Sequence, residues 1–139
     1  MRVEVNRIIG AARLARLHGT FNVVGGLWPL LHMRSFEAAL GPKVDRWLVY
    51  TVAGLMVAVG ASQLSCASDP ASTRQARCLG LGTALTLGGV DLVYAPRGRI
   101  SRNYLVDAVA EVGWLLAWAS TFVRTRPAAT PAGTAVPGC

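Results

Sequence analysis

Charged side chains are scarce in this sequence, and acids are the scarcest of them. Only 15% of its 139 residues are charged and seven are Asp or Glu, whereas 53% are hydrophobic and the mean hydropathy is +0.41. An ordinary soluble domain has about 25% charged residues. The shortage of charge therefore excludes an ordinary soluble domain and predicts a single domain whose solvent is the lipid bilayer.

Motifs for catalysis and cofactor binding are missing as well. The sequence contains no P-loop, no GxSxG elbow, no HExxH pair and no CxxC or Cys/His spacing, so it does not support a nucleotide-driven pump, a known class of hydrolase or a metal centre. We therefore predict no catalytic residue, no cofactor and no metal site, and we favour a protein without enzymatic activity. The net charge of +7 does not predict nucleic-acid binding, because basic motifs interleaved with aromatic residues are absent.

Long uncharged runs are what the sequence has instead. The clearest, Trp47–Ser68, has 22 residues without a charge, which exceeds the roughly 20 residues that cross about 30 Å of hydrocarbon. The first of the weaker runs is short and contains Gly25, Gly26 and Pro29, which a bundle tolerates when neighbouring helices satisfy the freed backbone groups. Together the runs predict an all-α transmembrane four-helix bundle with spans at about 15–33, 47–66, 78–96 and 104–123.

The segments outside these spans carry different signals. In HMRSFEAALGPKVDRW, Ser35 is predicted as a helix N-cap and Gly41 as the stop, which predicts a short interfacial helix between spans 1 and 2. Residues 126–139 are rich in Pro, Ala, Gly and Thr and are predicted to be a disordered tail. We therefore assign residues 1–125 to the four-span domain, and we expect no secretory signal at its start.

The basic residues predict an orientation. With four spans, eight Lys and Arg residues fall on the side of the termini and six on the other side, so the positive-inside rule predicts a multi-pass protein of the bacterial cytoplasmic membrane with both termini in the cytoplasm. The termini side holds only two of the seven acids, which is typical of a surface that faces anionic lipid headgroups. A disulfide between Cys66 and Cys78 would contradict this orientation, so both are predicted to be small packing residues.

Three of the acids lie inside predicted spans. Asp107 and Glu111 are four residues apart and share one face of the fourth helix, a face that continues with Trp114 and Trp118. From the rise per residue, Asp107, Glu111 and Asp91 lie about 5, 10 and 7 Å from the ends of their spans, in the same leaflet. An ionised carboxylate facing lipid costs at least about 2.5 kcal/mol, which predicts that these acids face the bundle.

Two interpretations of these acids stay open. Either nearby arginines pair with them and lock the helix ends in register, or they form an acidic vestibule that binds a cationic or polar group or passes protons. The second interpretation predicts a ligand-binding set in which the acids act as counter-charges and His32 as a proton partner: Asp91, Asp107, Glu111, His32, Arg46 and Tyr50. His18 lies about 21 Å from His32 along a straight helix and is predicted to be an interfacial polar residue.

Two segments resemble those of known membrane proteins. GLWPLLHMRSFEAALGPKVDRWLV and GRISRNYLVDAVAEV resemble segments of small bacterial four-helix integral membrane proteins, loosely DoxX-like, and the likeness covers about residues 15–123. This resemblance implies a fold and a location, and it transfers no catalytic residue. In build the chain is also similar, more distantly, to emopamil-binding and sterol-isomerase membrane proteins, where acids in a membrane cavity meet a cationic or sterol-like ligand.

These observations predict an accessory or interaction protein of the membrane. We expect a homo-oligomer, because four short helices enclose little volume, and we expect membrane lipids as partners. The alternative is a binder or carrier of a lipid-like or cationic small molecule through the acidic vestibule. An isomerase-type reaction between one protonated and one ionised acid is a third hypothesis.

Overall fold

The computed structural model describes residues 2–123, and over that range the chain is all-helical. Helix α3 begins at Pro70, before the predicted span that starts at residue 78, whereas α2 and α4 follow the long uncharged runs. The predicted tail, residues 126–139, lies outside the described residues. The four helices of the described range are α1 (Arg2–Leu40), α2 (Arg46–Leu64), α3 (Pro70–Tyr94) and α4 (Tyr104–Val123).

Three of these helices, α2, α3 and α4, are long and apolar enough to cross a membrane. By length and composition, this finding indicates a membrane protein. Helix α1 is not among these three, and its uncharged run lies between Arg16 and Arg34. A fourth span formed by α1 stays a prediction.

Helix α1 is broken near its C-terminal end. His32 has a non-helical backbone (φ −146°, ψ 71°) one turn after Pro29, whose ring and missing N–H disturb a helix. The backbone N–H of Ser35 donates to His32 Nδ1 (3.2 Å), and the Ser35 hydroxyl donates to the His32 carbonyl (3.0 Å). The prediction of Ser35 as the N-cap is therefore wrong, because His32 caps the segment that continues to Leu40. An interfacial position for this segment stays a prediction.

Local chemistry sets the ends of α1 and α3. Gly41, which follows α1, has φ +82°, a backbone conformation that residues with a side chain rarely adopt. Before α3, the Asp69 carboxylate accepts from the backbone N–H groups of Ala71 (3.0 Å) and Ser72 (2.9 Å), and Pro70 occupies the first turn. Hydrogen bonds from the Ser72 side chain and backbone lower the pKa of Asp69. This cap explains why α3 starts ahead of its uncharged run.

Glycines allow α1 and α2 to pack closely. A Cβ on Gly19 would lie 2.7 Å from the Gly60 carbonyl oxygen, and a Cβ on Gly26 would lie 2.6 Å from the Ala53 carbonyl oxygen. These contacts run in opposite directions along the two helices, so α1 and α2 form an antiparallel hairpin. Small residues at such positions let membrane helices approach until their backbones touch.

The interior of the bundle is small and polar, and its surface is apolar. Leucine or valine side chains on every helix are more than half exposed, whereas most buried hydrophobic residues are alanines. Of the two cysteines predicted to pack, Cys66 is buried and Cys78 is exposed, and both are free thiols. This distribution is the reverse of that in water-soluble proteins and fits helices surrounded by lipid. The largest completely buried side chains are Trp118, His18, Gln63, Glu111 and Asn22.

Candidate functional site

Three carboxylates meet inside the bundle between α3 and α4, and we call Asp91, Asp107 and Glu111 the acid cluster. Asp91 is buried near the end of α3, and Glu111 is completely buried one turn after Asp107 in α4. Glu111 fits there because α3 has a glycine opposite it: a Cβ on Gly88 would lie 2.9 Å from Glu111 Cβ. The α3–α4 hairpin therefore brings together the three acids that helix rise assigns to one leaflet.

The surrounding residues neutralise the acid cluster poorly. Asp91, Asp107 and Glu111 lie close enough for their charges to interact. Asp91 Oδ2 and both carboxylate oxygens of Glu111 are buried with no hydrogen-bond partner among the described residues. Carboxylates that share a partly dry site repel one another when all of them are ionised. This arrangement favours a cluster that holds at least one proton or binds a cation.

Lys43, in the connection between α1 and α2, is a base that interacts with the acid cluster. Its ammonium group lies 4.5 Å from the centre of the Tyr104 ring and donates to the Leu40 carbonyl at 2.9 Å. Burial lowers the pKa of Lys43, while the charges of Glu37 and Asp91 act in the opposite direction. One ammonium group offsets at most one carboxylate, so Lys43 leaves the cluster with an excess of acid.

Arg46, which the sequence assigns to the ligand-binding set, pairs with an acid outside the cluster. Its Nε and Nη2 donate to Glu37 Oε1 and Oε2 at 2.9 and 2.7 Å, a two-bond geometry typical of strong arginine–carboxylate pairs. The hydrogen bond from Arg46 lowers the pKa of Glu37, to which the backbone N–H of Lys43 also donates. Arg46 therefore links the end of α1 to the start of α2 and does not neutralise the acid cluster.

The structure does not bring His32 and Tyr50 into contact with the acid cluster. His32 is exposed, and its Nδ1 accepts the Ser35 N–H that caps the end of α1. Tyr50 is also exposed, on α2, where it interacts with Arg46. Of the six residues in the predicted set, the structure thus groups the three acids and leaves His32, Arg46 and Tyr50 on α1 and α2.

A second buried polar group lies toward the C-terminal end of α4, and we call His18, Asn22, Gln63 and Trp118 the His18 network. Trp118 Nε1 donates to His18 Nδ1 (3.0 Å), Asn22 Nδ2 donates to Gln63 Oε1 (2.9 Å), and Gln63 Nε2 lies 3.4 Å from His18 Nδ1. The His18 ring stacks on Trp114 with the ring centres 4.5 Å apart. All four members are completely buried, so His18 faces the interior of the bundle, and its level at the membrane interface stays a prediction.

Sequence reasoning missed the His18 network because its members come from α1, α2 and α4. A usable signal was present, since Asn22 lies one turn after His18 on the same helix face and Gln63 interrupts the apolar second span. Isolated polar residues in a span usually face the interior of the bundle, where they can form hydrogen bonds with other helices. The network joins three helices, which is the structural role of such hydrogen bonds.

The acid cluster is suited to holding protons or an organic cation. Within residues 2–123, no group of three or more His, Cys, Asp or Glu side chains is arranged to hold a metal ion. An ammonium ion makes different demands, because it donates up to three hydrogen bonds and needs only oxygen acceptors in reach. Asp91 Oδ2 and the two Glu111 oxygens are such acceptors, and they are buried and unpaired within the described range.

No protein-family model, no curated protein and no solved structure matches the chain. The resemblance to DoxX-like proteins accordingly stays a prediction.

Proposed function

We propose that the protein is a four-span integral protein of the bacterial cytoplasmic membrane, with both termini in the cytoplasm. The packing of α1 supports the fourth span, because Gly19 and Gly26 hold it against α2 along about 10 Å of helix and so assign both helices the same depth. With α1 in the membrane, the helical segment after His32 lies at the interface. The excess of basic residues on the termini side supports the orientation.

The orientation is testable with fusions after Cys139. A reporter that is active only in the cytoplasm should be active there, and a reporter that is active only in the periplasm should be silent. The opposite result would overturn the orientation. The connection between α2 and α3, which contains Cys66, would then face an oxidising compartment.

We infer that the acid cluster binds the ammonium group of a lipid-like small molecule. The observation that carries this proposal is the state of Glu111, which is completely buried and has no hydrogen-bond partner for either oxygen among the described residues. A buried acceptor left unsatisfied costs about 1–3 kcal/mol, and more when it is charged. A ligand that supplies both positive charge and N–H donors would remove that cost.

The route to the site supports a lipid-like ligand over a small aqueous cation. The cluster lies about 5 to 10 Å inside the predicted spans, and Lys43, in the connection between α1 and α2, interacts electrostatically with Asp91. A fixed positive charge there disfavours a cation that arrives from water. A molecule with an apolar tail partitions into the bilayer and can bring its head group to this depth through the lipid.

Dodecylamine is a suitable probe, with dodecanol as its uncharged counterpart. In nanodiscs, dodecylamine should raise the unfolding temperature of the wild-type protein by about 3 °C or more beyond the effect of dodecanol, because a ligand that binds only the folded state stabilises it. Glu111→Gln keeps the size of the side chain and removes its charge, so it should abolish this difference. Glu37→Gln is the matched control, since it makes the same change in an acid that Arg46 already pairs.

Equal stabilisation of the wild-type protein and Glu111→Gln by dodecylamine would overturn the proposal, provided that circular dichroism shows the variant to be helical. A loss of the dodecylamine effect in Glu37→Gln as well would assign the binding to general surface charge. Asp91→Asn offers an independent check in the neighbouring acid, and it should weaken the response in the same direction.

The outer face of α2 favours the second candidate function, that of an interaction protein. Small side chains are exposed along this face at helical spacing, and a Cβ on Gly54 would meet nothing within 4 Å. Because small residues let a second membrane helix approach closely, we propose a homo-oligomer through Gly54, Ala58 and Ala61. Gly54→Leu should lower the oligomeric mass in native mass spectrometry, whereas Gly113→Leu on α4 should not. A monomeric wild-type protein would exclude this function.

A further inference from the structure

A groove of about 810 Å³ lies at the opposite end of the bundle from the acid cluster, between the first turns of α1, the start of α3 and the end of α4. Three arginines line it, Arg7, Arg74 and Arg77, together with the apolar side chains of Ile8 and Leu14. Small-molecule sites usually measure about 300–1,000 Å³. The groove therefore has the size of a ligand site and presents positive charge beside apolar surface.

Arg77 is held in place and lacks a partner for one of its donors. Its guanidinium group lies 4.6 Å from the centre of the Phe122 ring, a cation–π contact that restricts its orientation. Arg77 Nε is buried and has no hydrogen-bond acceptor among the described residues. A charged donor buried without an acceptor is costly, so an anionic oxygen from outside the chain would complete this site.

The other two arginines increase the positive charge of the groove. Arg74 precedes Arg77 by three residues, so both lie on one face of α3, and Arg7 lines the groove from α1. No carboxylate lines the groove in the part of the chain that the structure describes. Asp69, close by in sequence, already accepts from two backbone N–H groups at the start of α3. The arginines are therefore available to an external anion.

The level of the groove matches that of lipid headgroups. Helix α3 has 25 residues and is about 37 Å long, which exceeds the roughly 30 Å of hydrocarbon. Its uncharged stretch begins after Arg77, so its first two turns extend into the headgroup region. A phospholipid places a phosphate at this level and acyl chains below it, which matches the arrangement of the arginines and the apolar lining.

We propose that this groove binds an anionic phospholipid, with its phosphate held by Arg74 and Arg77 and an acyl chain starting against Ile8 and Leu14. A guanidinium group binds phosphate oxygens through paired hydrogen bonds, and Arg77 Nε gains the acceptor that it lacks. The site is separate from the acid cluster and does not depend on the function proposed for that cluster.

Native mass spectrometry of the full-length protein in detergent tests the proposal, with dioctanoylphosphatidylglycerol as the probe. The wild-type protein should bind this lipid more tightly than dioctanoylphosphatidylcholine, whose choline group the arginines repel. The double variant Arg74→Gln/Arg77→Gln should bind phosphatidylglycerol about tenfold or more weakly, because it loses charge-assisted hydrogen bonds. Arg99→Gln/Arg102→Gln is the matched control: it removes two arginines at the same spacing on the other side of the bundle and should keep the wild-type affinity.

Wild-type affinity in Arg74→Gln/Arg77→Gln, or an equal loss in the control, would overturn the proposal. Complete displacement of the lipid by millimolar inorganic phosphate would also overturn it, since the occupant would then be a soluble phosphate compound. Should the double variant fail to fold by circular dichroism, Arg77→Lys replaces it. This variant keeps the charge and loses the forked donor geometry, so it should bind the lipid several-fold more weakly, and unchanged affinity would count against the proposal.

Discussion

The two buried polar groups of this bundle differ in how their hydrogen bonds are satisfied. In the His18 network each side chain is joined to another member, at donor–acceptor distances of 2.9 to 3.4 Å. In the acid cluster, Glu111 is just as deeply buried, and neither of its oxygens has a partner within the described range. Every member of the His18 network thus has at least one internal partner, although His18 Nε2 and Asn22 Oδ1 have none within the described residues, whereas Glu111 has no partner for either oxygen there.

This difference separates polar residues that stabilise the bundle from polar residues that are free to bind. A hydrogen bond between membrane helices stabilises their association by about 0.6 to 2 kcal/mol, so loss of a network member should lower stability. A carboxyl group without a partner contributes no such bond, so removal of its charge should affect binding more than stability. Variants in the two groups should therefore respond differently.

Trp118→Ala should have the largest effect, because it removes a completely buried ring and the N–H that His18 accepts. The loss of a large buried side chain costs about 3–5 kcal/mol of unfolding free energy, and the fit is close: a Cβ on Gly80 would lie 2.6 Å from Trp118 Cε2. Unfolding by SDS in mixed micelles, followed by circular dichroism, measures the change. Trp47→Ala is the control at a position 65% exposed and should cost less than about 1 kcal/mol. Equal losses would show that Trp118 lies outside the packed interior.

Gly88→Ala should disturb the acid cluster through the backbone of α3. The added Cβ would lie 2.9 Å from Glu111 Cβ, an atom too close to its own backbone to move aside, and overpacking of this kind costs about 1–3 kcal/mol. Gly89→Ala, whose Cβ would meet nothing within 4 Å, should be neutral or slightly stabilising because alanine favours helix. Thermal unfolding distinguishes the two variants. The same shift in both would mean that α3 and α4 do not meet at Gly88.

Much of the fold could be predicted from the uncharged runs, because the thickness of the hydrocarbon sets their length. Helices α2 and α4 begin and end within two residues of the predicted spans. The bounds of α1 and α3 differ from those of the predicted spans for local reasons that hydropathy does not detect. His32 interrupts α1 one turn after Pro29, and Asp69 caps α3 ahead of its uncharged run.

The grouping of the three acids could also be predicted, whereas the partners of the other candidate residues could not. Rise per residue gives the level of a side chain along a helix, but the rotation of each helix decides which side chains meet. That rotation depends on contacts between distant segments, such as Asn22 with Gln63, 41 residues further along the chain. Without it, the sequence assigns Arg46 to the acid cluster, whereas the structure pairs Arg46 with Glu37.

Gln63→Leu should lower the stability by about 1–2 kcal/mol, because it leaves the buried amide of Asn22 without its acceptor. Glu111→Gln, although just as buried, should change the unfolding free energy by less than about 1 kcal/mol, since no hydrogen bond of Glu111 within the described residues is lost. Gln75→Leu, at an exposed position on α3, controls for the change of side chain. SDS unfolding compares all three. A larger loss in Glu111→Gln than in Gln63→Leu would make Glu111 a structural pair partner and would end the distinction between the two groups.

The smallest effect should come from Glu37, an acid that is paired, and it should depend on pH. The hydrogen bond from Arg46 lowers the pKa of Glu37 below its ordinary value of 4.5, so this residue stabilises the folded state fully above that pH. The contribution declines as the pH falls below 4.5 and is lost once the pH has passed the lowered pKa of the folded protein. Glu37→Gln should therefore be slightly less stable than the wild-type protein near neutral pH, since exposed pairs contribute little, and equally stable in strong acid. Thermal unfolding of both proteins across this range measures the difference, and a difference that grows on acidification would mean that Arg46 does not favour the charged form of Glu37.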